Sequence, residues 1–461
     1  MDTEPRTPSH AGTDAANPEE RAVYVTGRLA LLVGVGVVPV VLLSAAAGGS
    51  APVAWAAAGG WMLVCGLLAA LDVSRAAAPG AVRVSRTAPA RTRQGVPVQT
   101  ALTLDNTGSR ELRGLVRDAW EPTAGAPPDR LRVDVPAGER RTYQVPLIPR
   151  RRGERRTGFV VVRARGPLGL AGRQARIDAP GAVRVLPPFD SRRHLPSRIA
   201  RLRELDGNTS VQVRGQGTEF DSLREYVRGD DVRSIDWRAT ARARTTMLRT
   251  WRPERDRHVV IVVDTGRTSA GRVGDETRLD AAMETTLLLA ALADRAGDNV
   301  HVVLFDRVVR GRVSGVRGSA LLPALVDTMA SVEPTLIDTD WDAALAQAAV
   351  FTTRPSLVVL LTALDVAAAS RGLLGALPTL TARTRVVVAS VTDAGLPALA
   401  AERATSDDVW LAASVERTLL DADRLSAAIG RLGADALAAG PAELPPRVAH
   451  RYLELKAAGL L

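Results

Sequence analysis

The sequence contains few of the residues and motifs on which most enzymes and secreted scaffolds depend. Cys65 is the only cysteine among 461 residues, so one chain can form neither an internal disulfide nor a multi-thiolate metal site. The five histidines include no pair at the spacing of a zinc motif, and neither a G-x-S-x-G elbow nor a Walker A sequence occurs. We therefore assign no catalytic residue and expect a protein that is not an enzyme.

Aromatic residues and lysines are also scarce. Aromatics make up 3% of the chain and Lys456 is its only lysine, so the cores have to be built from Val, Leu, Ile and Ala. The formal net charge of +10 is carried almost entirely by arginine. Such a charge can indicate binding to nucleic acid, but arginine is raised together with Ala, Gly and Val, which indicates compositional bias. We expect no nucleic-acid partner.

Two stretches, 29–47 and 52–71, contain no charged residue. Each approaches the roughly 20 residues that cross a bilayer, which predicts two transmembrane helices within 23–72, behind a disordered tail at 1–22. A signal peptide and a buried helical hairpin are the alternatives. The lipid bilayer is therefore a predicted partner of residues 29–71.

Arginines predict the orientation of these helices. They precede the first stretch and follow the second, whereas the short turn between the two stretches carries no charge. The positive-inside rule then places both termini and the soluble domains in the cytoplasm, with the chain as a multi-pass protein of the inner or plasma membrane.

Short runs with a period of two residues dominate from 76 to 190. Val98, Thr100, Leu102 and Leu104 alternate with more polar positions and end at a turn signal, Asp-Asn-Thr-Gly. Seven or eight such runs predict a β-sandwich-like domain. We interpret the arginines at 150–156 as a solvated hairpin tip, with contact to anionic lipid headgroups as the alternative.

Strand and helix patterns alternate from 256 to 430. The run His-Val-Val-Ile-Val-Val-Asp at 258–264 predicts a buried strand, and 279–295 predicts an amphipathic helix. The alternation predicts a parallel sheet flanked by helices. Prolines at 441, 445 and 446 interrupt the helical pattern that follows, so 431–461 is predicted to be a C-terminal tail.

The most distinctive stretch lies in the predicted linker segment, 191–255. It combines Gly-Gln-Gly-Thr-Glu-Phe at 215–220 with Arg-Glu-Tyr at 224–226, Gly-Asp at 229–230, Ile-Asp-Trp at 235–237 and Thr-Ala-Arg at 240–242. This pattern closely resembles the signature of the domain of unknown function 58 family. Upstream, Arg-Gly-Pro-Leu-Gly-Leu at 165–170 resembles the family's R-D-P-F-G-L turn, with Gly166 in place of Asp.

The resemblance implies a membrane-anchored protein with a von Willebrand A-like domain that acts beside MoxR-type AAA+ ATPases. We therefore expect a non-enzymatic scaffold or adaptor that binds such an ATPase. Arginines of the signature can form bidentate pairs with its carboxylates, which suits either a partner-binding surface or a fixed contact between domains. The signature residues are Glu219, Phe220, Arg224, Tyr226, Asp230, Arg233, Asp236, Trp237 and Arg242.

The von Willebrand A resemblance also implies a metal-ion-dependent adhesion site, with the signature Asp-x-Ser-x-Ser, a distant Thr and a later Asp. Asp264, Thr268 and Thr339 match in part, but Gly266 and Ala363 stand where a hydroxyl and a carboxylate are expected. Mg²⁺ prefers hard oxygen ligands, so these residues form a degenerate candidate site. A metal-dependent adhesion module and a metal-dependent hydrolase are the alternative functions. In the other interpretation, Asp264 only caps the following turn.

Overall fold

The computed structural model describes residues 22–209, 219–227, 231–252, 257–352, 354–364 and 367–461. They divide into two compact units, Met1–Leu186 and Pro187–Leu461. The strands are β1 (Ala22–Val25), β2 (Val82–Thr87), β3 (Arg91–Arg93), β4 (Val98–Asn106), β5 (Leu112–Trp120), β6 (Leu131–Val135), β7 (Arg140–Leu147), β8 (Gly153–Arg165), β9 (Ala171–Leu186), β10 (Glu219–Glu225), β11 (Met247–Arg252), β12 (His258–Asp264), β13 (Arg272–Val273), β14 (Glu276–Thr277), β15 (Asn299–Phe305), β16 (Val309–Val313), β17 (Leu357–Leu361), β18 (Arg385–Val391) and β19 (Asp435–Ala439). The helices are α1 (Gly27–Val35), α2 (Val37–Ala46), α3 (Ala51–Arg75), α4 (Leu195–Thr209), α5 (Trp237–Ala243), α6 (Arg278–Arg295), α7 (Leu321–Ala330), α8 (Trp341–Phe351), α9 (Ala367–Thr381), α10 (Leu396–Ala401), α11 (Ser406–Arg431) and α12 (Leu444–Ala457).

Two apolar helical stretches lie near the start of the first unit. Together, α1 and α2 span 20 residues with a mean hydropathy of 2.6, and α3 continues from Ala51. Pro39 lacks an amide proton and crowds the carbonyl four residues earlier, which explains why α1 ends at Val35 and α2 begins at Val37. Both stretches are long and apolar enough to cross a membrane. Only 6% of each stretch is buried, which does not fit the alternative of a buried helical hairpin.

Residues 22–25 correct the predicted boundary between the tail and the first membrane helix. They form β1, which pairs antiparallel with β9, so that Ala22 lies opposite Gln174 and Val25 opposite Ala171. The helix begins only at Gly27, after Thr26 has capped it by accepting a hydrogen bond from the amide of residue 28. Alternating Val and Tyr side chains favour the extended conformation of β1.

A two-sheet sandwich follows in the same unit. One sheet has the strand order β1-β9-β8-β5-β6, with β3 added on β9, and the other has the order β2-β4-β7. Inward side chains of both sheets share one apolar core, which includes Leu102 and Leu104 from one sheet and Val160 and Val162 from the other. This arrangement buries one face of each sheet.

The second unit contains a six-stranded sheet in the order β16-β15-β12-β17-β18-β19. All neighbours are parallel except the edge strand β16, which is antiparallel to β15. Helices cover both faces of this sheet. Trp341 of α8, Leu373 of α9 and Leu425 of α11 share one apolar core on one face. The buried residues of α6 are not part of that core, although α6 contacts the same strands. Six of the seven residues of β12 are buried, as expected for a central parallel strand.

Residues 431–461 are not a tail, which corrects the expectation from the sequence. β19 extends the sheet through parallel pairing with β18, and α12 packs on α6 with Val448 and Tyr452 buried. Pro445 and Pro446 lie in the first turn of α12. A proline is tolerated there, since the first amides of a helix have no partner within the helix. These prolines therefore start a helix rather than end the domain.

The first part of the predicted linker segment also belongs to the second unit. The amide of Ser191 donates to the carboxylate of Glu284 in α6 at 2.5 Å, and Arg198 of α4 donates to the carbonyl of Pro446 at 3.3 Å. Leu202 is buried. Further along, β10 and β11 form an antiparallel hairpin that encloses α5.

The only lysine of the chain fastens α12 to the rest of its unit. Lys456 Nζ lies 3.0 Å from Asp298 Oδ1, and both side chains are nearly inaccessible. The hydroxyl of Tyr452 donates to the same carboxylate. Removing one member of a buried ion pair leaves the other charge without compensation, which costs about 3–5 kcal/mol.

We therefore expect Lys456→Met to lower the free energy of unfolding by about 3–5 kcal/mol. The matched control is Arg447→Met, because Arg447 of the same helix forms an exposed pair with Glu443, the residue before that helix, and should contribute less than about 1 kcal/mol. Denaturant unfolding of the detergent-solubilised chain measures both values. Equal losses in the two variants would show that the buried pair does not hold α12.

Candidate functional site

The carboxylate of Asp264 lies at the carboxyl end of β12 and is almost completely buried. Its Oδ1 accepts hydrogen bonds from the amide of Gly266 at 2.7 Å and from the hydroxyl of Thr339. Its Oδ2 accepts from the hydroxyls of Thr268 at 3.1 Å and Thr362 at 2.6 Å. A carboxylate offers about four lone-pair positions. Protein donors therefore occupy all of them.

Part of this cluster was predicted from the sequence. The structure brings Asp264, Thr268 and Thr339 together, and the bond to Gly266 makes Asp264 a cap of the following turn. Thr362 was missed as a member of the site. Thr362 follows β17, which is the parallel neighbour of β12. The only sequence signal for its role was therefore its position at the carboxyl end of a strand next to β12.

A cavity of about 10 Å³ opens beside the carboxylate. This volume accommodates about one water-sized molecule. An exposed ion pair, Arg267 Nη2 to Asp338 Oδ1 at 2.9 Å, lies at its wall. The lining residues are Asp264, Arg267, Thr268, Asp338, Thr339, Trp341, Thr362, Ala363 and Leu373.

The donor set does not fit a Mg²⁺ site of the adhesion type. A Cβ at Gly266 would lie 2.4 Å from Thr339 Oγ1 and 2.9 Å from the carbonyl oxygen of Ile337, so a serine cannot enter without movement of the backbone around it. Ala363 is buried and supplies no oxygen. In the described part of the chain, no group of three or more His, Cys, Asp or Glu is placed to hold a metal ion. Asp365, the next carboxylate after Ala363 in the sequence, lies outside the described residues.

Asp306 is a second buried carboxylate at the same edge, directly after β15. It accepts hydrogen bonds from Arg310 Nε at 2.7 Å, from Thr335 Oγ1 at 2.9 Å and from the amides of Arg307 and Val308 at 2.5 and 3.1 Å. Burial alone raises the pKa of Asp306, but these donors outweigh it and lower the pKa to about 2. Asp306 was not predicted from the sequence, although an apolar run that ends in Asp was its signal.

The signature residues lie on the hairpin and on α5. Glu219 and Phe220 are in β10, opposite Arg252 and Trp251 of β11, and the structure describes only their backbone. Asp230 lies outside the described residues. The amide of Tyr226 donates to the carbonyl of residue 246 at 2.8 Å, and Arg224 donates to the carbonyl of residue 225 at 3.1 Å.

Asp236 is the N-cap of α5. Its Oδ1 accepts from the amides of Arg238 and Ala239, and its Oδ2 lies 2.7 Å from Arg249 Nε. The amide of Ala239 and the guanidinium of Arg249 lower the pKa of Asp236. The ion pair corrects the expectation that Asp236 pairs with an arginine of the signature itself. The antiparallel bridge between Ile235 and residue 248 sets Asp236 opposite Met247, and the side chain of Arg249, two residues further along β11, reaches its carboxylate.

Several side chains of this region face solvent. Trp237 is 71% exposed and Val232 is 61% exposed. Arginines accompany them on α5 and on the turn before it. We define the signature surface as the exposed side chains of Val232, Arg233, Trp237, Arg238 and Arg242.

Residues 222–407 match the model of the family described as protein of unknown function DUF58. This match supports the DUF58 family for the part of the chain that carries most of the signature and the Asp264 cluster. No curated protein matches the chain.

Solved structures resemble the chain only distantly. The CARDB domain of a Pyrococcus furiosus protein is 13% identical, with 23% of this chain and 91% of that chain covered and a TM-score of 0.17. A GH20 exo-β-N-acetylglucosaminidase from Vibrio harveyi is 12% identical, with 78% and 75% covered and a TM-score of 0.22. TM-scores this low carry no argument about fold or function.

The low pKa of Asp306 predicts acid sensitivity. A folded pKa of about 2 lies below the unfolded value of roughly 3.9, so the carboxylate stabilises the fold above about pH 4 and loses this contribution as the pH falls towards about 2. Asp306→Asn should lower the free energy of unfolding by on the order of 2 kcal/mol at neutral pH. Urea unfolding at a series of pH values should show the two proteins converging in acid. Asp338→Asn, at an exposed ion pair, should have little effect at any pH.

The crowding around Gly266 predicts that the missing hydroxyl of the adhesion motif cannot simply be restored. Gly266→Ser and Gly266→Ala both add a Cβ next to Thr339, so each should lower the free energy of unfolding by about 1–3 kcal/mol. The alanine variant controls for the hydroxyl. A serine variant as stable as the wild type, with heat released on Mg²⁺ titration, would contradict this account.

Proposed function

We propose that this protein is a membrane-anchored, non-enzymatic scaffold whose cytoplasmic α/β domain binds a protein partner. The two long apolar stretches support the anchor, and the arginines that flank them support the cytoplasmic orientation. A MoxR-type AAA+ ATPase is the partner class suggested by the family resemblance. The mostly parallel sheet, with Asp264 at its carboxyl edge, supports a von Willebrand A-like domain.

The observation that carries the proposal is the exposed tryptophan in the signature. Trp237 follows the capping residue Asp236 and presents most of its side chain to solvent. A large aromatic side chain gains free energy when a partner covers it, and tryptophan and arginine are enriched among the residues that dominate interface energetics. The signature surface combines both residue types on a helix whose start is fixed by Asp236.

The carboxyl edge of the sheet supports a scaffold more than a catalyst. A general base has to reach a substrate proton with a free lone pair, whereas the lone pairs of Asp264 are occupied by one amide and three hydroxyls. Asp306 is held in the ionised form by Arg310 and backbone amides. Both carboxylates hold the loops at this edge together.

Metal-dependent binding of a partner is the second candidate function. Three hydroxyls, those of Thr268, Thr339 and Thr362, lie around Asp264 as the family motif suggests, but they donate to its carboxylate, and Gly266 and Ala363 supply no ligand. Titration calorimetry with Mg²⁺ on the wild type and on Asp264→Ala tests this function. If the metal-dependent heat disappears in the variant, the result would support metal-dependent binding and would equally reopen the hydrolase alternative. Equal heats in the two proteins would remove both of these functions.

The scaffold proposal predicts that Trp237→Ala weakens capture of the partner without loss of stability. The detergent-solubilised wild type, after gentle cross-linking in its host, should recover a MoxR-type ATPase, and Trp237→Ala should recover about tenfold less, as is typical of an interface tryptophan. Trp410→Ala is the matched control, because Trp410 is 77% exposed on α11 but lies outside the matched region. Equal recovery by both variants, or no ATPase from the wild type, would count against the proposal.

A further inference from the structure

The turn between β8 and β9 is bound to the end of α3. Asp72 is completely buried, and its carboxylate accepts hydrogen bonds from the amides of Leu168 at 2.7 Å, Leu170 at 2.7 Å and Ala171 at 2.9 Å. Three amides around one carboxylate satisfy a buried charge. Gly166 is required beside it, because a Cβ there would lie 2.2 Å from Asp72 Oδ1.

The same turn is bound to the start of α1. The hydroxyl of Thr26 donates to the carbonyl of Gly169 at 2.7 Å, and the amide of Thr26 donates to the carbonyl of Leu170 at 2.9 Å. β1, which leads into Thr26, pairs with β9 immediately after the turn. Contacts from two helix ends therefore fix the position of residues 165–170, which we call the membrane-proximal turn.

The helices place this turn at the boundary of the bilayer. The uncharged stretch ends at Leu71, and Asp72 follows it. About 20 residues at roughly 1.5 Å per residue cover the hydrocarbon layer, so Asp72 lies where that layer ends. Leu168 is hydrogen-bonded to Asp72 through its amide, yet its side chain is 47% exposed. Pro167 beside it is also exposed.

The surroundings of the turn are basic. Residues 22–30, 71–78 and 163–174 contain five arginines and a single acidic residue, Asp72, whose charge is bound by amides. Arginines next to a membrane attract anionic lipids, and the attraction falls off within a Debye length. The exposed arginines are Arg28, Arg75 and Arg165.

We propose that the membrane-proximal turn is a lipid-binding element. Leu168 enters the boundary between headgroups and hydrocarbon, and Arg28, Arg75 and Arg165 bind the headgroups of anionic phospholipids. Because Asp72 and Thr26 hold the turn in place, lipid binding orders no additional backbone. This inference rests on the membrane anchor of the proposed function but is independent of the ATPase partner.

The arginine-rich turn at 150–152 provides an internal control. It precedes β8, whereas the membrane-proximal turn begins at its last residue. The 13 residues of β8 span roughly 40 Å at about 3.3 Å per residue. Lipid contact at 150–156, the alternative from the sequence, therefore has its own label at the far end of the same strand.

The test places a fluorophore at each end of β8 in the full-length protein. Leu168→Cys and Arg151→Cys, each combined with Cys65→Ala, are labelled with bimane and reconstituted in nanodiscs of phosphatidylcholine with or without phosphatidylglycerol. A phospholipid with a nitroxide near its headgroup is the quencher. We expect quenching at 168 to exceed that at 151 by at least about twofold and to increase with phosphatidylglycerol. Replacing all three arginines with glutamine (Arg28→Gln, Arg75→Gln and Arg165→Gln) should abolish the increase.

Each outcome supports or overturns the proposal. Equal quenching at 168 and 151 would overturn contact of the membrane-proximal turn with the membrane. Quenching at 168 that is the same with and without phosphatidylglycerol would overturn binding of anionic lipid by this turn. Pro167→Cys serves as a second labelling position if the Leu168 variant does not fold. Release of the wild type from host membranes by alkaline carbonate would refute the anchor itself, an outcome distinct from failure at the turn alone.

Discussion

The carboxylate of Asp264 has to be hydrogen-bonded because it is buried at the end of the central strand, and this requirement organises the carboxyl edge of the sheet. Its hydroxyl donors come from three segments: the loop after β12 supplies Thr268, the loop before α8 supplies Thr339, and the end of β17 supplies Thr362. Loss of a donor leaves an unsatisfied buried acceptor, at a cost of about 1–3 kcal/mol. The edge is therefore a fixed surface, which suits recognition of a partner better than proton transfer.

Buried carboxylates join distant parts of the chain elsewhere as well. Asp72 binds three amides about a hundred residues away, Asp298 binds the only lysine near the C-terminus, and Asp306 binds Arg310 and Thr335. In each case the carboxylate is compensated by charge or by several donors, as buried anions require. The first of these contacts fixes a turn at the helix ends, and the second makes the last helix part of the α/β unit.

Local patterns predicted much of this architecture. The uncharged stretches identified α1 to α3, and the apolar run at 258–264 identified β12, because burial of side chains sets the periodicity of a sequence. Asp264, Thr268 and Thr339 were grouped through a family motif, and the structure brings them together. Strand β1 was missed because four residues carry too little pattern beside a long apolar stretch. The prolines in the first turn of α12 were interpreted as a helix end when they mark its beginning.

By itself the sequence determined which segments are apolar, how they alternate, and that cysteine and zinc-type histidine chemistry are absent. Burial of apolar side chains leaves a periodic pattern within each short segment. These properties can therefore be determined without knowing which segments pack together. Only the tertiary structure decided that Arg249 pairs with Asp236, that Thr362 completes the Asp264 cluster, and that Asp72 holds the membrane-proximal turn. Hydrogen bonds and ion pairs are short-ranged and directional, so their partners depend on strand register and loop position, which sequence spacing does not specify.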